Sequence, residues 1–137
     1  MKKLANTSFI YAILAMIGGV FYREFTKLLN FTGVTRLSFV HLHLFVLGMF
    51  FFLVVLLLDK QFHVSAHKSF GKFYITYNLG LAVMVIMLIV RGVTEVLATP
   101  LSPGLSAAVS GIAGIGHIIL GVSILWYLFM LKKSIKE

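Results

Sequence analysis

The apolar residues of this chain fall into four long continuous runs and do not alternate with polar residues. The runs cover approximately residues 7–27, 37–58, 73–98 and 105–131. A helix of about 20 apolar residues crosses a hydrocarbon core about 30 Å thick. Helices satisfy their own backbone hydrogen bonds in lipid, and these runs lack the alternation of barrel strands. The pattern therefore predicts an all-α fold, an integral membrane four-helix bundle that forms a single transmembrane domain over residues 1–137.

The composition narrows the classes of function. The chain is 60% hydrophobic and contains no cysteine, which excludes disulfides, thiolate metal sites, iron–sulfur clusters and covalent c-type haem. The net charge is +8, but the lysines cluster at the ends of the runs. They are therefore expected to set topology and to contact anionic lipid, and no nucleic-acid partner is predicted. The first run, which follows Lys2 and Lys3, is predicted to be a retained span rather than a cleaved signal peptide.

The basic residues also predict the orientation of the bundle. One face carries eight lysines: Lys2, Lys3, Lys60, Lys68, Lys72, Lys132, Lys133 and Lys136. The other face carries Arg23, Lys27, Arg36 and Arg91. The larger cluster is expected to be cytoplasmic, so both termini would lie inside a multi-pass protein of the cell membrane. All the arginines fall on the outer face, where planar guanidinium groups suit the binding of an anionic group.

Two histidines stand within the apolar stretch FVHLHLFVLGMF of the second span. An ionisable residue within a span is expected to face the protein interior and to mark a site. His41 and His43 are two residues apart, which is about 200° of helical rotation, so they point in nearly opposite directions. Only one of them can ligate a given metal on a regular helix. Gly48 shares the face of His41 and would let a bulky or planar group approach, which favours His41 as the residue that faces the site.

A third histidine, His117, lies among small residues in the fourth span. Gly114 precedes it by three residues and Gly121 follows it by four, so both glycines lie on its face. A stripe of small residues is typical of close helix packing. A histidine with glycine one turn above and below it also suits a flat macrocycle. Both interpretations are open from the sequence.

Charged residues accompany these histidines in the outer half of the predicted bundle. Arg91 and Glu95 are four residues apart in the third span, so they are predicted to form an ion pair on one helix face. Arg91 is alternatively a partner for a carboxylate of a bound cofactor, and Arg23 and Arg36 are further candidates for that role.

Several stretches carry a resemblance to a known family. FYREFTK, HLHLFVLGMFFFLVVLLLDK, RGVTEVLATPLSPGL and SGIAGIGHIILG resemble an uncharacterised family of small four-helix bacterial membrane proteins. The resemblance covers essentially the whole chain and implies no activity. The motif H-x-H-L-x-x-L-G at residues 41–48 is also similar to segments of the haem–copper oxidase subunit I superfamily, in which histidines on transmembrane helices hold haem irons near the outer side. That likeness implies haem ligation, but a chain with four spans and without the three copper-ligand histidines is not expected to reduce oxygen alone.

Three functions agree with these patterns. The first is a b-type haem protein for electron transfer or for diatomic-gas binding and sensing, with His117 and either His41 or His43 as axial ligands. The second is a non-catalytic accessory subunit whose histidines make interhelical hydrogen bonds. The third is a metal-ion-handling membrane protein. No catalytic residue set is predicted. The expected partners are the lipid bilayer and a second copy of the chain, as a homodimer, or a larger membrane complex.

Overall fold

Four long helices form the chain in a computed structural model that describes residues 1–135. They are α1 (Lys2–Leu28), α2 (Leu37–Phe62), α3 (Phe70–Val96) and α4 (Pro103–Ser134), and a short 3₁₀ turn, Val64–Ala66, lies between α2 and α3. Residues 1–135 contain no strand. Each of the four helices is long and apolar enough to span a membrane. The all-α fold and the four spans are therefore confirmed, and this is a multi-pass membrane protein.

The helices extend beyond the apolar runs into their polar flanks. α1 begins five residues before the predicted run, and α2 ends four residues after it. At the start of α4, the Ser102 side chain accepts a hydrogen bond from the Leu105 backbone N–H, and Pro103 occupies the first turn. At the end of α2, His63 adopts a left-handed conformation with φ of 51°. These local stop signals, rather than hydropathy, set the helix ends.

The helices pack in chain order, with α1 against α2, α2 against α3 and α3 against α4. We call the end of the bundle at which α1 begins and α4 ends the inner end, and the opposite end the outer end. The inner part of α2, Phe51–Phe62, also reaches α4, whereas its outer part makes little contact there. An aromatic cluster fills the inner half, where Phe51 stacks on Tyr77 with ring centroids 4.2 Å apart and Tyr127 packs on Phe73 at 5.1 Å. α2 and α4 are thus joined at the inner end and separate toward the outer end.

Two glycines bring α3 and α4 into backbone contact. A Cβ atom on Gly80 would lie 2.9 Å from the Leu120 backbone nitrogen, and one on Gly116 would lie 3.0 Å from the Met84 nitrogen. Neither neighbour is a flexible side chain, so a larger residue at either position would push the two helices apart. Close approach of this kind is what small residues provide in membranes.

The middle of α2 is not a regular α-helix. Residues Leu44–Phe50 form a π-helix, which loosens the backbone hydrogen-bond ladder. Two side chains from neighbouring helices donate to carbonyls in this segment. Ser8 of α1 donates to the Met49 oxygen at 2.9 Å, and Tyr77 of α3 donates to the Leu47 oxygen at 2.7 Å. The segment begins directly after His43.

Gly48 lies in this π-helical segment and faces α1. A Cβ atom at this position would lie 2.5 Å from Cγ of Tyr11. The planar group that Gly48 admits is therefore the ring of Tyr11, which contradicts the assignment of Gly48 to a cofactor site. His41 and Gly48 do share one face, as predicted, but it is the face toward α1.

Candidate functional site

His41 packs against the outer part of α1. Its ring stacks on Tyr22 with centroids 6.4 Å apart, and its side chain lies over Gly19. The Nδ1 atom of His41 is buried and has no hydrogen-bond partner among the residues that the structure describes. The sequence favoured His41 as the residue that faces the site, but its neighbours are α1 residues and not the helix that carries His117.

His43 lies on the side of α2 opposite to His41 and is half-buried. It follows Arg36 by seven residues within the regular α-helical part of α2, before the π-helix begins, so the two residues share one face. Arg36 donates to Glu95 of α3 at 2.7 Å. His43 therefore borders the gap above α3 in which α2 and α4 separate, and we call this gap the seam.

His117 is exposed, and it lies on the stripe of α4 that borders this same seam. Ser110 and Ser106 precede it by seven and eleven residues, so the three side chains share one helix face. The Arg91 guanidinium donates to the Ser110 hydroxyl at 2.8 Å and to the Ser106 carbonyl at 2.9 Å. The serine stripe, and His117 with it, therefore lies on the side of α4 that Arg91 reaches.

The floor of the seam is one stripe of α3. Tyr77, Met84 and Arg91 follow one another at intervals of seven residues, so they share one face of the helix. Tyr77 contacts α2 at the inner end, Arg91 contacts α4 at the outer end, and Met84 between them has an exposed fraction of 0%. This stripe therefore runs between α2 and α4, beneath both histidines.

The two histidines lie at nearly the same depth. Phe51 stacks on Tyr77 of α3. The Ser123 hydroxyl donates to the hydroxyl of Thr76, the residue directly before Tyr77, at 3.2 Å. Phe51 of α2 and Ser123 of α4 are thus level within about one residue. His43 lies eight residues before Phe51, and His117 lies six residues before Ser123. At the rise of an α-helix, His43 and His117 therefore differ in depth along the bundle by about one turn, roughly 5 Å.

In both His43 and His117, one ring nitrogen hydrogen-bonds to a backbone carbonyl oxygen of the same helix. Nδ1 of His43 lies 2.7 Å from the Phe39 oxygen, and Nδ1 of His117 lies 2.8 Å from the Ala113 oxygen. A carbonyl only accepts, so each Nδ1 carries the proton, and Nε2 of a neutral ring keeps its lone pair. This is the tautomer in which protein histidines bind metals, and the carbonyl contact fixes it.

The space beside His117 is open. Cβ atoms on Gly114 and Gly121 would meet no heavy atom within 4 Å. Among residues 1–135, these two glycines therefore serve no helix contact, in contrast to Gly116 on the adjacent face of α4. That a flat group occupies the open space beside His117 stays a prediction.

The charged residues lie at the outer end of the seam, and one of them, Glu95, has a different partner from the one that the sequence predicts. Glu95 does not pair with Arg91, as the spacing predicted, but with Arg36 of α2. The Arg36 guanidinium and backbone N–H each donate to the Glu95 carboxylate at 2.7 Å. The Glu95 carboxylate therefore accepts two hydrogen bonds from Arg36 of α2, while the Arg91 guanidinium bonds to the two serines of α4. Arg23 lies on α1, pairs with Glu24 at 3.4 Å and is highly exposed, so it stands outside the seam.

A shallow cleft of about 440 Å³ continues from this mouth to the outer loop. Arg91, Glu95 and Ser106 line its inner side, and Thr99 and Pro100 line its outer side. Within residues 1–135, no three histidine or carboxylate side chains gather as ligands for a metal ion.

The comparison with known families decides the relationship of the chain. A family described as "protein of unknown function (DUF2871)" matches residues 1–134. The chain belongs to the DUF2871 family. The resemblance to an uncharacterised family over the whole chain is thereby confirmed, and membership carries no assigned activity. No functionally curated protein and no solved structure is detectably similar to this DUF2871 chain.

Sequence reasoning did not single out the two serines that hold Arg91. Their signal was present, because Ser106 and Ser110 are four residues apart on the stripe that leads to His117. The spacing of Arg91 and Glu95 indicates a pair on one helix and does not indicate a partner for Arg91 on the next helix.

Proposed function

We propose that this chain is a membrane b-type haem protein in which His43 and His117 are the two axial ligands. One observation carries the proposal. His43 of α2 and His117 of α4 border one seam from its two sides, within about one helical turn in depth, and each has Nδ1 bound to a backbone carbonyl of its own helix. Two imidazoles on facing helices are a sufficient ligand set for haem. A bare transition-metal ion needs three or four protein ligands, so the seam suits haem better than an ion.

The remaining residues of the seam suit the other parts of a haem. Gly114 and Gly121 leave open space on both sides of His117 along α4. Met84 is fully buried in the packed core beneath the seam, so the protein on that side is apolar, and apolar surroundings favour a low-dielectric site. Arg91 and Arg36 stand at the outer mouth, where guanidinium groups form charge-assisted hydrogen bonds with propionates.

Bound haem would supply a one-electron couple, or a gas-binding position if one axial histidine were displaced. The protein residues would set which of these dominates. The carbonyl contacts hold both imidazoles in one tautomer and orientation, which favours two permanent ligands. Electron transfer is therefore the role that this geometry supports best, and gas binding requires one of the contacts to break.

Haemin uptake tests the proposal on protein prepared without haem. We expect the haem-free protein in mild detergent to bind haemin to saturation at one per protomer. The double variant His43→Ala/His117→Ala serves as the reference for haemin that merely dissolves in micelles. Uptake by the wild-type protein that does not exceed this reference would refute haem binding.

The orientation of the bundle is part of the same proposal, because it places the haem near the outer surface. We infer that both termini are cytoplasmic and that the protein lies in the cell membrane, since seven of the eight lysines predicted for that face lie among the described residues at the end of the bundle that carries the termini; the eighth, Lys136, lies outside the described residues. The chain has no cysteine, so a maleimide can label only the cysteine that a single substitution introduces. A membrane-impermeant maleimide should label Thr32→Cys in intact cells but Ser65→Cys only after permeabilisation. The opposite pattern would place the termini outside.

A further inference from the structure

A second cavity lies between α1 and α3, on the far side of the bundle from the histidine seam. It has a volume of about 370 Å³, and Leu44 of α2 forms part of its lining. Its walls are mostly apolar, with Ile10 and Leu14 on one side and Val85 and Ile86 on the other. Three of these four wall residues are also strongly exposed on the helix surface, so the cavity opens toward the acyl chains of the bilayer.

Polar groups stand at one end of this apolar cavity. The Tyr11 hydroxyl donates to Oδ1 of Asn78 at 2.6 Å, and Nδ2 of Asn78 donates to the Tyr74 carbonyl at 2.7 Å. The hydroxyls of Thr7 and Tyr74 share a hydrogen bond of 2.6 Å. An amide nitrogen carries two hydrogens, so one donor of Asn78, a residue that lines the cavity, has no partner among residues 1–135.

An unused amide donor is costly at this depth. Asn78 lies six residues beyond Lys72, and Tyr11 lies eight residues beyond Lys3, which is roughly 9–12 Å at the helical rise. This is below the level of the lysines and within the hydrocarbon. There, a polar group without a partner costs free energy that a bound acceptor would recover.

We propose that this cavity binds an isoprenoid quinone. One quinone carbonyl accepts the free Asn78 amide hydrogen, and the ring lies beside Tyr11. The isoprenoid tail follows the apolar walls formed by Leu14 and Ile86 out to the lipid. A quinone head resides within the membrane at this depth, whereas the ester groups of a phospholipid lie nearer the surface. The proposal rests on this cavity alone and stands independently of haem binding.

Native mass spectrometry of the detergent-solubilised protein tests the proposal, with a benzoquinone that carries two isoprene units as the probe. Wild-type protein should retain one quinone adduct per protomer. Asn78→Leu removes the donor, and Ala82→Trp fills the cavity from its exposed rim. Each should weaken binding roughly tenfold, as the loss of one hydrogen bond or of the available volume predicts.

Matched controls come from the same helices. Thr76→Val removes a polar group of α3 that faces α4, and Tyr22→Phe removes a hydroxyl of α1 that lies outside the cavity. Both should bind the quinone like the wild type. Equal quinone adducts in all five proteins would overturn the proposal. Adducts of added phosphatidylglycerol, with none of quinone, would overturn it as well and would identify the cavity as a lipid site.

Discussion

Alanine at His117 should remove the Soret band of the purified protein, whereas alanine at His41 should leave it in place. His117 supplies one of two proposed iron bonds from a face of α4 with open space beside it. Loss of an axial imidazole removes a metal–ligand bond that no neighbouring side chain replaces, so we expect haem per protomer to fall at least about tenfold. His43→Ala should have the same effect. The measurement is haem content per protomer after purification from haem-replete cells.

His41→Ala is the matched control, because it makes the same chemical change two residues from His43. His41 lies against Gly19 and Tyr22 of α1, so its removal affects helix packing and not the seam. A result in which His41→Ala loses haem and His43→Ala keeps it would place the ligand on the α1 side and refute the seam.

The substitution Gly116→Leu should separate α3 from α4 and lower the thermal stability, whereas Gly114→Leu should leave the two helices packed. A Cβ atom at Gly116 already lies 3.0 Å from the Met84 backbone nitrogen and 3.2 Å from the Gly80 oxygen. Backbone atoms cannot move aside, so the larger side chain separates the helices. Overpacking of this kind costs about 2–3 kcal/mol, which lowers the Tm by about 10 °C. Thermal unfolding followed by circular dichroism in detergent measures the shift.

Gly114→Leu provides the contrast on the same helix. Its new side chain meets no atom of the chain within 4 Å of Cβ, and leucine is a better helix former than glycine by about 1 kcal/mol. In haem-free protein its Tm should therefore equal or exceed that of the wild type. The same variant should bind less haem, because leucine fills the space beside His117. If Gly114→Leu lowered the Tm as much as Gly116→Leu, the open face would be a helix contact.

The four spans were predictable because hydropathy contrasts sharply between helices and loops in this chain. The π-helix of α2 was not, because it depends on groups from other helices. The hydroxyls of Ser8 and Tyr77 donate to the carbonyls of Met49 and Leu47. The pattern of apolar residues in α2 does not indicate these hydrogen bonds, because their donors belong to α1 and α3. The same limit applies to Gly48. Gly48 is predicted to admit a cofactor, but the Tyr11 ring of α1 lies against it, and no pattern within α2 indicates that ring.

The sequence identifies the candidate residues of the site, but it does not show which of them lie close together in the fold. The rotation between His41 and His43 showed that only one of them faces a given site, yet the choice depends on which helix lies on each side. Glu95 shows the same effect. Its spacing from Arg91 permits an ion pair, but Arg36 offers a guanidinium and a backbone N–H together, and two charge-assisted bonds outweigh one.

One absorption spectrum tests the central claim most directly, which is that His43 and His117 ligate one haem in the seam between α2 and α4. The sample is wild-type protein purified in mild detergent from haem-replete cells, recorded oxidised and after reduction with dithionite. The account predicts a Soret band and, on reduction, sharp α and β bands, as expected for iron held by two histidines. A protein with no Soret band, which also fails to take up haemin, would contradict it.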